Sequence, residues 1–426
     1  MAASFGEKLL LEVHEESLDE LLHDLRVLHR ENVGGIRTRL GVGPIDDLLE
    51  LFWPCPQRLQ NMPRLEPNIS GDHENDISAT AEYTPMQLET HDQPVFPGRP
   101  YPVIEISSTS SAAGKSQIIS YLSALAVLPS ELNGIPLGGL NSAVVFIDSD
   151  GRFDVERLRT VARGIVQNKI QASADYRSSS ASLDDTIEAM IVASLQHVHV
   201  FRPQSSLALL TTLQSIEVYL LDLPRHASTS RPLHAIFIDS ATAFFWQDKL
   251  QDEIARTEEI GRPAAELEIE RQHKKTFYLA DTYADLVTAL KRLQQIFDCA
   301  VIYTTTSFGG RLMEKPFAPS GSYNPLDSIL NTPSFRSPMP PPWGLFPTLR
   351  LVLNRGAVQP FPPGVAVQEA QRAASMRHEI VMRGEFVGSV NGWGREEWPR
   401  RILEGLTRRG RGQFTFDVGR DGVKFN

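Results

Sequence analysis

The stretch VIEISSTSSAAGKSQIISYLSALAVLP, Val103 to Pro129, decides how the chain is to be folded. It opens on a β-branched apolar run and passes through small residues from Ser107 to Ala113 to the triplet Gly114-Lys115-Ser116. It then continues into a segment whose Ile118, Ile119, Leu122 and Leu125 recur at helical spacing. Strand, small-residue loop and helix start, in that order, suit a phosphate cradle. Backbone N–H groups at the helix start converge on phosphate oxygens, a lysine reaches the β and γ phosphates, and a Ser or Thr hydroxyl holds Mg²⁺. Here the cradle runs over Thr109, Ser110, Ser111, Ala112, Ala113, Gly114, Lys115, Ser116 and Gln117. Thr109 stands where G-x-x-x-x-G-K-[ST] has its leading glycine, so a turn preferring positive φ is expected to be strained there by about 1 kcal/mol or less.

Working outward, AVVFID (Ala143–Asp148), HVHVFRP (His197–Pro203), HAIFID (His234–Asp239) and AVIYTTT (Ala300–Thr306) join Val103–Ile106 as short, nearly continuous apolar runs. Strands buried on both faces of a parallel sheet read this way. Helical segments alternate with them at Ser116–Leu128, Val155–Val166, Leu207–Leu221 and Thr276–Phe297, which predicts a three-layer α/β domain. Toward the C-terminus TLRLVLNR, HEIVMRGEFVG and QFTFDVGRDGVKF read as antiparallel strands with turns. A carboxylate at the sheet's ligand crevice is also required for a Mg²⁺ site. Asp239, and on another strand Asp148 and Asp150, close buried strands at that edge; the competing reading is that these acids cap the helices that follow.

The remainder is organised around this core. Leucines at helical spacing predict an amphipathic helix over 7–30, within a lead-in segment 1–53. Residues 54–100, rich in Pro, Asn, Asp, Glu and Thr, are expected to be a disordered insertion before a core of 101–426. Surface excursions are expected near 171–190 (Ser-rich), 251–275 (charged, helical) and 309–344 (Pro-rich). With 426 residues and 41% hydrophobic content the chain can bury a sizeable core. An acid-bearing N-terminus and the absence of any run near the ~18 apolar residues of a span predict an intracellular protein with no membrane contact. Cys55 and Cys299 are too few for a disulfide framework. A net charge of −10 excludes a surface that grips nucleic acid all round. The arginine-dense stretch Gly394–Gly412 is either a solvated segment or a local patch. His197 and His199 alternate on one strand face, half of a metal site without its other ligands.

These residues also carry a family resemblance. AVVFIDSDGRFDVERL resembles the second-strand segment of RecA-type recombinases, IDSATAFFW is similar to the corresponding segment of eukaryotic recombinase paralogues, and TRLGVGPIDDLLELF and DVGRDGVKF resemble the segments before the cradle and at the C-terminus. The resemblance implies a RecA-like P-loop ATPase domain with ATP and Mg²⁺ as ligands. Lys115 and Ser116 would hold phosphates and Mg²⁺, Asp239 would order the Mg²⁺ shell, and Asp150 would stand where the family has its water-activating glutamate. Thr306 falls where active members carry an amide that senses the γ-phosphate. Asp is one methylene shorter than Glu, and a misplacement of about 1 Å can cost on the order of 100-fold in rate, so binding with slow or no hydrolysis is expected. The Pro-rich loop, with Arg311, Lys315, Arg336, Phe317, Tyr323 and Phe335, falls where the family has its second DNA-binding loop. The implied role is a nuclear recombinase paralogue in homologous-recombination repair. It would work in a hetero-oligomer with other paralogues and contact single-stranded or branched DNA through that complex. No separate helical DNA-binding domain is expected before Gly35. Two rival readings are a structural subunit that binds no nucleotide and an unrelated P-loop kinase or motor.

Overall fold

The computed structural model describes residues 39–52, 101–173, 181–263, 278–306, 333–356, 364–372 and 384–425, with the isolated residues 265, 374 and 378. The expected helix over 7–30, the insertion 54–100 and most of the Pro-rich loop therefore lie outside the described residues.

In chain order the elements are α1 (Gly43–Phe52), β1 (Val103–Ser108), α2 (Lys115–Val127), a small hairpin β2 (Glu131–Leu132) and β3 (Ile135–Pro136), β4 (Ala143–Asp148), α3 (Val155–Ala172) and α4 (Ala181–Leu195). They continue with β5 (Val198–Phe201), α5 (Ser206–Leu221), β6 (Leu233–Asp239), α6 (Phe245–Glu258), α7 (Leu279–Phe297), β7 (Ala300–Thr306) and β8 (Leu349–Arg355). The described chain closes with β9 (Glu385–Val390), α8 (Arg400–Arg408), β10 (Gln413–Gly419) and β11 (Gly422–Phe425).

The described strands form a nine-stranded sheet in the order β5-β4-β6-β7-β1-β8-β9-β10-β11. The first six run parallel and the last three continue antiparallel. Strand alternation sends Ile104, Ile106, Val144, Phe146 and Phe237 to the face covered by α1 to α4 and the C-terminal hairpin. Val103, Val145, Ile147, Ile236 and Tyr303 go to the face covered by α5 and α7. Apolar side chains on both sides explain why these strands read as unbroken apolar runs. The molecule is thus the α/β, three-layer, RecA-like architecture, with a mostly parallel sheet and antiparallel C-terminal strands.

Because β7 lies between β1 and β6, the loop after β1 and the acid after β6 open at the same edge, one strand apart. The C-terminal hairpin packs back toward this edge. Its turn presses on α3 at Gly164, where a Cβ would stand 1.7 Å from the carbonyl oxygen of Asp421. Arg157 of α3 donates to the carbonyls of Gly419 (3.0 Å) and Arg420 (2.6 Å) and to the Gln117 side chain of α2 (2.7 Å). One guanidinium thereby joins two helices and the hairpin.

Three expectations change. Strand β8, read as antiparallel, pairs parallel with β1 and becomes antiparallel only toward β9. Part of the Ser-rich excursion is the helix α4, whose Ile187 and Ile191 are in the core. The end of the Pro-rich segment is packed rather than loose: Phe335, Met339 and Trp343 are buried, with Trp343 against Tyr283 and Tyr303. Phe335 is therefore unable to stack on a nucleic-acid base. Among the described residues no helix is long and apolar enough to cross a membrane.

Candidate nucleotide site

The loop after β1 has two left-handed residues before the helix: Ala112 at φ 57° and Gly114 at φ 86°. Thr109 is not among the positive-φ residues, so the strain expected at the substituted glycine does not arise there. It moves to Ala112, where a Cβ in the left-handed region costs about 1 kcal/mol. Gly114 has a second reason to be glycine. A Cβ on it would come within 3.2 Å of the Phe416 ring and 3.3 Å of the Phe386 ring. These two rings stack at 5.2 Å and form the floor on which the loop rests.

With Gly114 as N-cap, α2 begins at Lys115 and turns its first amides toward the loop. No described group accepts the backbone N–H groups of residues 110–115, which leaves them oriented for an anion. The Lys115 ammonium bonds the Ser108 hydroxyl, and that hydroxyl donates to the Ser110 carbonyl (2.7 Å). Ser116, on the first turn of α2, has an exposed side chain. Gln117 faces elsewhere with its side chain, whose oxygen is taken by Arg157.

The acids converge on this lysine. Partial burial holds the Lys115 ammonium below its usual pKa, and the charges of Asp239 and Asp150 oppose that shift. Both carboxylates therefore lie within electrostatic reach of the cradle lysine. Asp239, 9% exposed, ends β6 and accepts from the Thr304 hydroxyl at 2.5 Å. Its carbonyl accepts the N–H groups of Ser149 (2.9 Å) and Asp150 (3.3 Å), tying the loop after β4 to the end of β6. Asp150 accepts from the Ser240 hydroxyl at 3.3 Å. Its carboxyl is held above the usual range, first by partial loss of hydration and then by the Asp239 charge, while Ser240 and Arg152 act in the opposite direction. Thr306, register partner of Ser108, closes β7 at the same edge, and its N–H reaches the Thr242 hydroxyl (3.3 Å).

Asp148 has a different role. It is 2% exposed and accepts the N–H groups of Arg152 (2.8 Å) and Phe153 (3.1 Å) and the guanidinium of Arg202 (3.0 Å). It shapes the loop that presents Asp150, while the helix that follows is capped by Asp154 rather than by Asp148. His197 and His199 both reach the Ser228 hydroxyl, each at 2.9 Å, and His199 also meets the Tyr219 hydroxyl (3.0 Å). They belong to a polar knot that anchors the loop before β6. Sequence reasoning missed Ser108, Thr304 and Ser240. The available signal was polarity at the last residues of β1 and β7, where a run of Ser and Thr closes otherwise apolar strands.

The donor set fits a magnesium-bound triphosphate: open amides, a lysine, a hydroxyl on the first helical turn and two carboxylates from neighbouring strands. The chain is similar to a DNA repair protein XRCC2 homolog of Arabidopsis thaliana, 23% identical over 280 residues, or 60% of this chain and 69% of that protein. It is similar to the DNA repair and recombination protein RadA of Halobacterium salinarum, 29% identical over 195 residues (45% and 48%). Mouse DNA repair protein XRCC2 matches at 30% over 137 residues (32% and 39%). The chain thus spans about half or less of the RadA and mouse proteins. No family model matches.

Proposed function

We infer that this RecA-type, XRCC2-like recombinase paralogue works in DNA recombination and repair as a Mg·ATP-binding subunit of a paralogue complex. The repair role follows from relatives named for repair and recombination. The nucleotide role rests on one arrangement, the open amides and Lys115 at the start of α2 beside the strand-end acids Asp239 and Asp150, which are tied to each other through the Asp239 carbonyl. When bound, magnesium would neutralise charge between the β and γ phosphates. Ser116 and Asp239 would hold it, directly or through water. Lys115 would leave Ser108 for phosphate, and the amides around Gly114 would orient the anion. Asp150 is the base available to an attacking water, but it is one methylene shorter than glutamate, and a misplacement of about 1 Å can cost on the order of 100-fold in rate. Slow hydrolysis follows, so nucleotide would act mainly by favouring one arrangement of the subunit and thereby its docking to other paralogues in the nucleus.

Calorimetry of the full chain with Mg·ATP tests this. Lys115→Ala is expected to weaken binding at least tenfold, because a charge-assisted phosphate contact is lost. Equal affinity in both proteins, or no binding in either, would refute the nucleotide role. A pull-down from nuclease-treated extract addresses the repair role separately: recombination proteins should be recovered, and exclusively metabolic partners would refute it.

A further inference from the structure

The segment Gly394–Gly412 carries Arg395, Arg400, Arg401, Arg408, Arg409 and Arg411 and no lysine, in a chain of net charge −10. Arginines that no carboxylate of the protein holds remain available to an external anion. Arg409 is held by local acids: it meets Asp47 at 3.6 Å and Glu50 at 3.9 Å and donates to the Asp47 carbonyl. Among the described residues Arg400, Arg408 and Arg411 are exposed and reach no carboxylate within 4.0 Å.

Local folding preference explains Arg408, a cation in the last turn of α8 where the helix dipole favours one, but not the other two. The first turn of α8 holds Arg400 and no acid, opposite to what the helix dipole favours. Arg411 lies in the left-handed region at φ 61°, between Gly410 and Gly412, which are also at positive φ. A bulky side chain kept in a conformation that glycine adopts freely is an observed outlier of the kind that clusters at functional sites.

The platform is rigid. Ile402 and Leu406 are buried, a Cβ on Gly405 would come 2.4 Å from Leu51, and Trp398 packs edge-on against Phe52 at 5.0 Å. Arg400 and Arg408 are separated by about 12 Å along the helix axis, which spans roughly three or four nucleotide steps. Between them no buried-type anchor emerges, since the apolar residues of the segment face inward. A protein interface centre or a bilayer would use such anchors; a phosphate backbone needs only forked, fixed charge.

We propose that Arg400, Arg408 and Arg411 form a contact site for the phosphate backbone of DNA, lying on the α8 surface and separate from the nucleotide cradle. The site reads charge and carries no base specificity. It deepens the repair reading above and rests on it. The test is fluorescence anisotropy of the full chain with a labelled oligothymidylate of about 30 nucleotides and a duplex of the same length, between about 50 and 200 mM salt. The variant is Arg400→Gln/Arg408→Gln/Arg411→Gln, with unaltered Mg·ATP calorimetry as its folding control. Removing three phosphate contacts should reduce the slope of log affinity against log salt by about 2 on the single strand and about 3 on the duplex. Affinity at the lowest salt should fall at least tenfold. An unchanged slope overturns the assignment, as does wild-type protein that binds polyglutamate as tightly as DNA. Loss of Mg·ATP binding in Lys115→Ala with DNA contact intact leaves this site standing. Absence of any DNA binding removes the site and leaves the partner pull-down to decide the repair role.

Discussion

At the scale of single residues, the cradle separates two effects usually merged in a glycine pattern. The position lacking its glycine, Thr109, is unstrained, while Ala112 at φ 57° and Gly114 at φ 86° carry the left-handed geometry. An order of stability follows for urea denaturation. Ala112→Gly should gain up to about 1 kcal/mol, because relief of the left-handed conformation slightly outweighs the added freedom of the unfolded chain. Thr109→Gly should lose up to about 1 kcal/mol from that freedom alone. Gly114→Ala should lose about 2 kcal/mol or more, adding backbone strain to contact with the Phe416 and Phe386 rings. A Thr109→Gly protein more stable than wild type would return the strain to the leading position. Lys115, Gly114 and Asp239 were legible in the sequence because each is defined by its own strand, loop and helix. Ser108 and Thr304 were not, since their roles depend on β1 and β7 being neighbours, and neither run states its partner.

At the scale of elements, β5 and β6 hold histidines that fold in neutral form. The pKa of His199 is lowered from 6.5 to about 4 by burial, with His226 and His197 adding to it; His234 is lowered to about 4 by burial alone. Such groups bind fewer protons folded than unfolded. Their contribution is complete above pH 6.5 and is lost as pH falls from 6.5 toward 4, by at most about 1.4 kcal/mol per pH unit for each. Denaturation midpoints should therefore decline across that window, and His234→Gln should flatten the decline. A midpoint flat from pH 7 to 5 in wild type would contradict this. The same elements show which structure was readable. Buried strands and the long helix α7 declare themselves by apolar continuity and period, whereas α4 lay hidden under Ser-rich composition. The packed turn at Trp343 was hidden by its prolines, because what holds it, Tyr283 and Tyr303, comes from distant parts of the chain.

At the scale of the whole molecule, the sheet is continuous from β5 to β11, and its antiparallel end supports its parallel half. Phe416 of β10 is fully buried beneath Gly114, and Gly164 of α3 admits the hairpin turn. Phe416→Ala should cost about 3–5 kcal/mol by truncating a packed aromatic. It should also raise amide hydrogen exchange in the first bonded turn of α2, residues 118–121. Gly164→Ala drives a methyl into the Asp421 carbonyl and should produce the same exchange signature without touching the loop. Normal protection of 118–121 in both proteins would show that the start of α2 is independent of its floor.

The Phe386–Phe416 floor also has a consequence for biosynthesis. The loop near residue 110 leaves the ribosome some three hundred residues before its supporting ring is translated. Until then the nascent cradle has only its own backbone to hold its shape. A stop codon between Thr306 and Glu385 would release a chain with every cradle residue present and neither floor ring beneath them, so such nonsense alleles should behave as those before the cradle do.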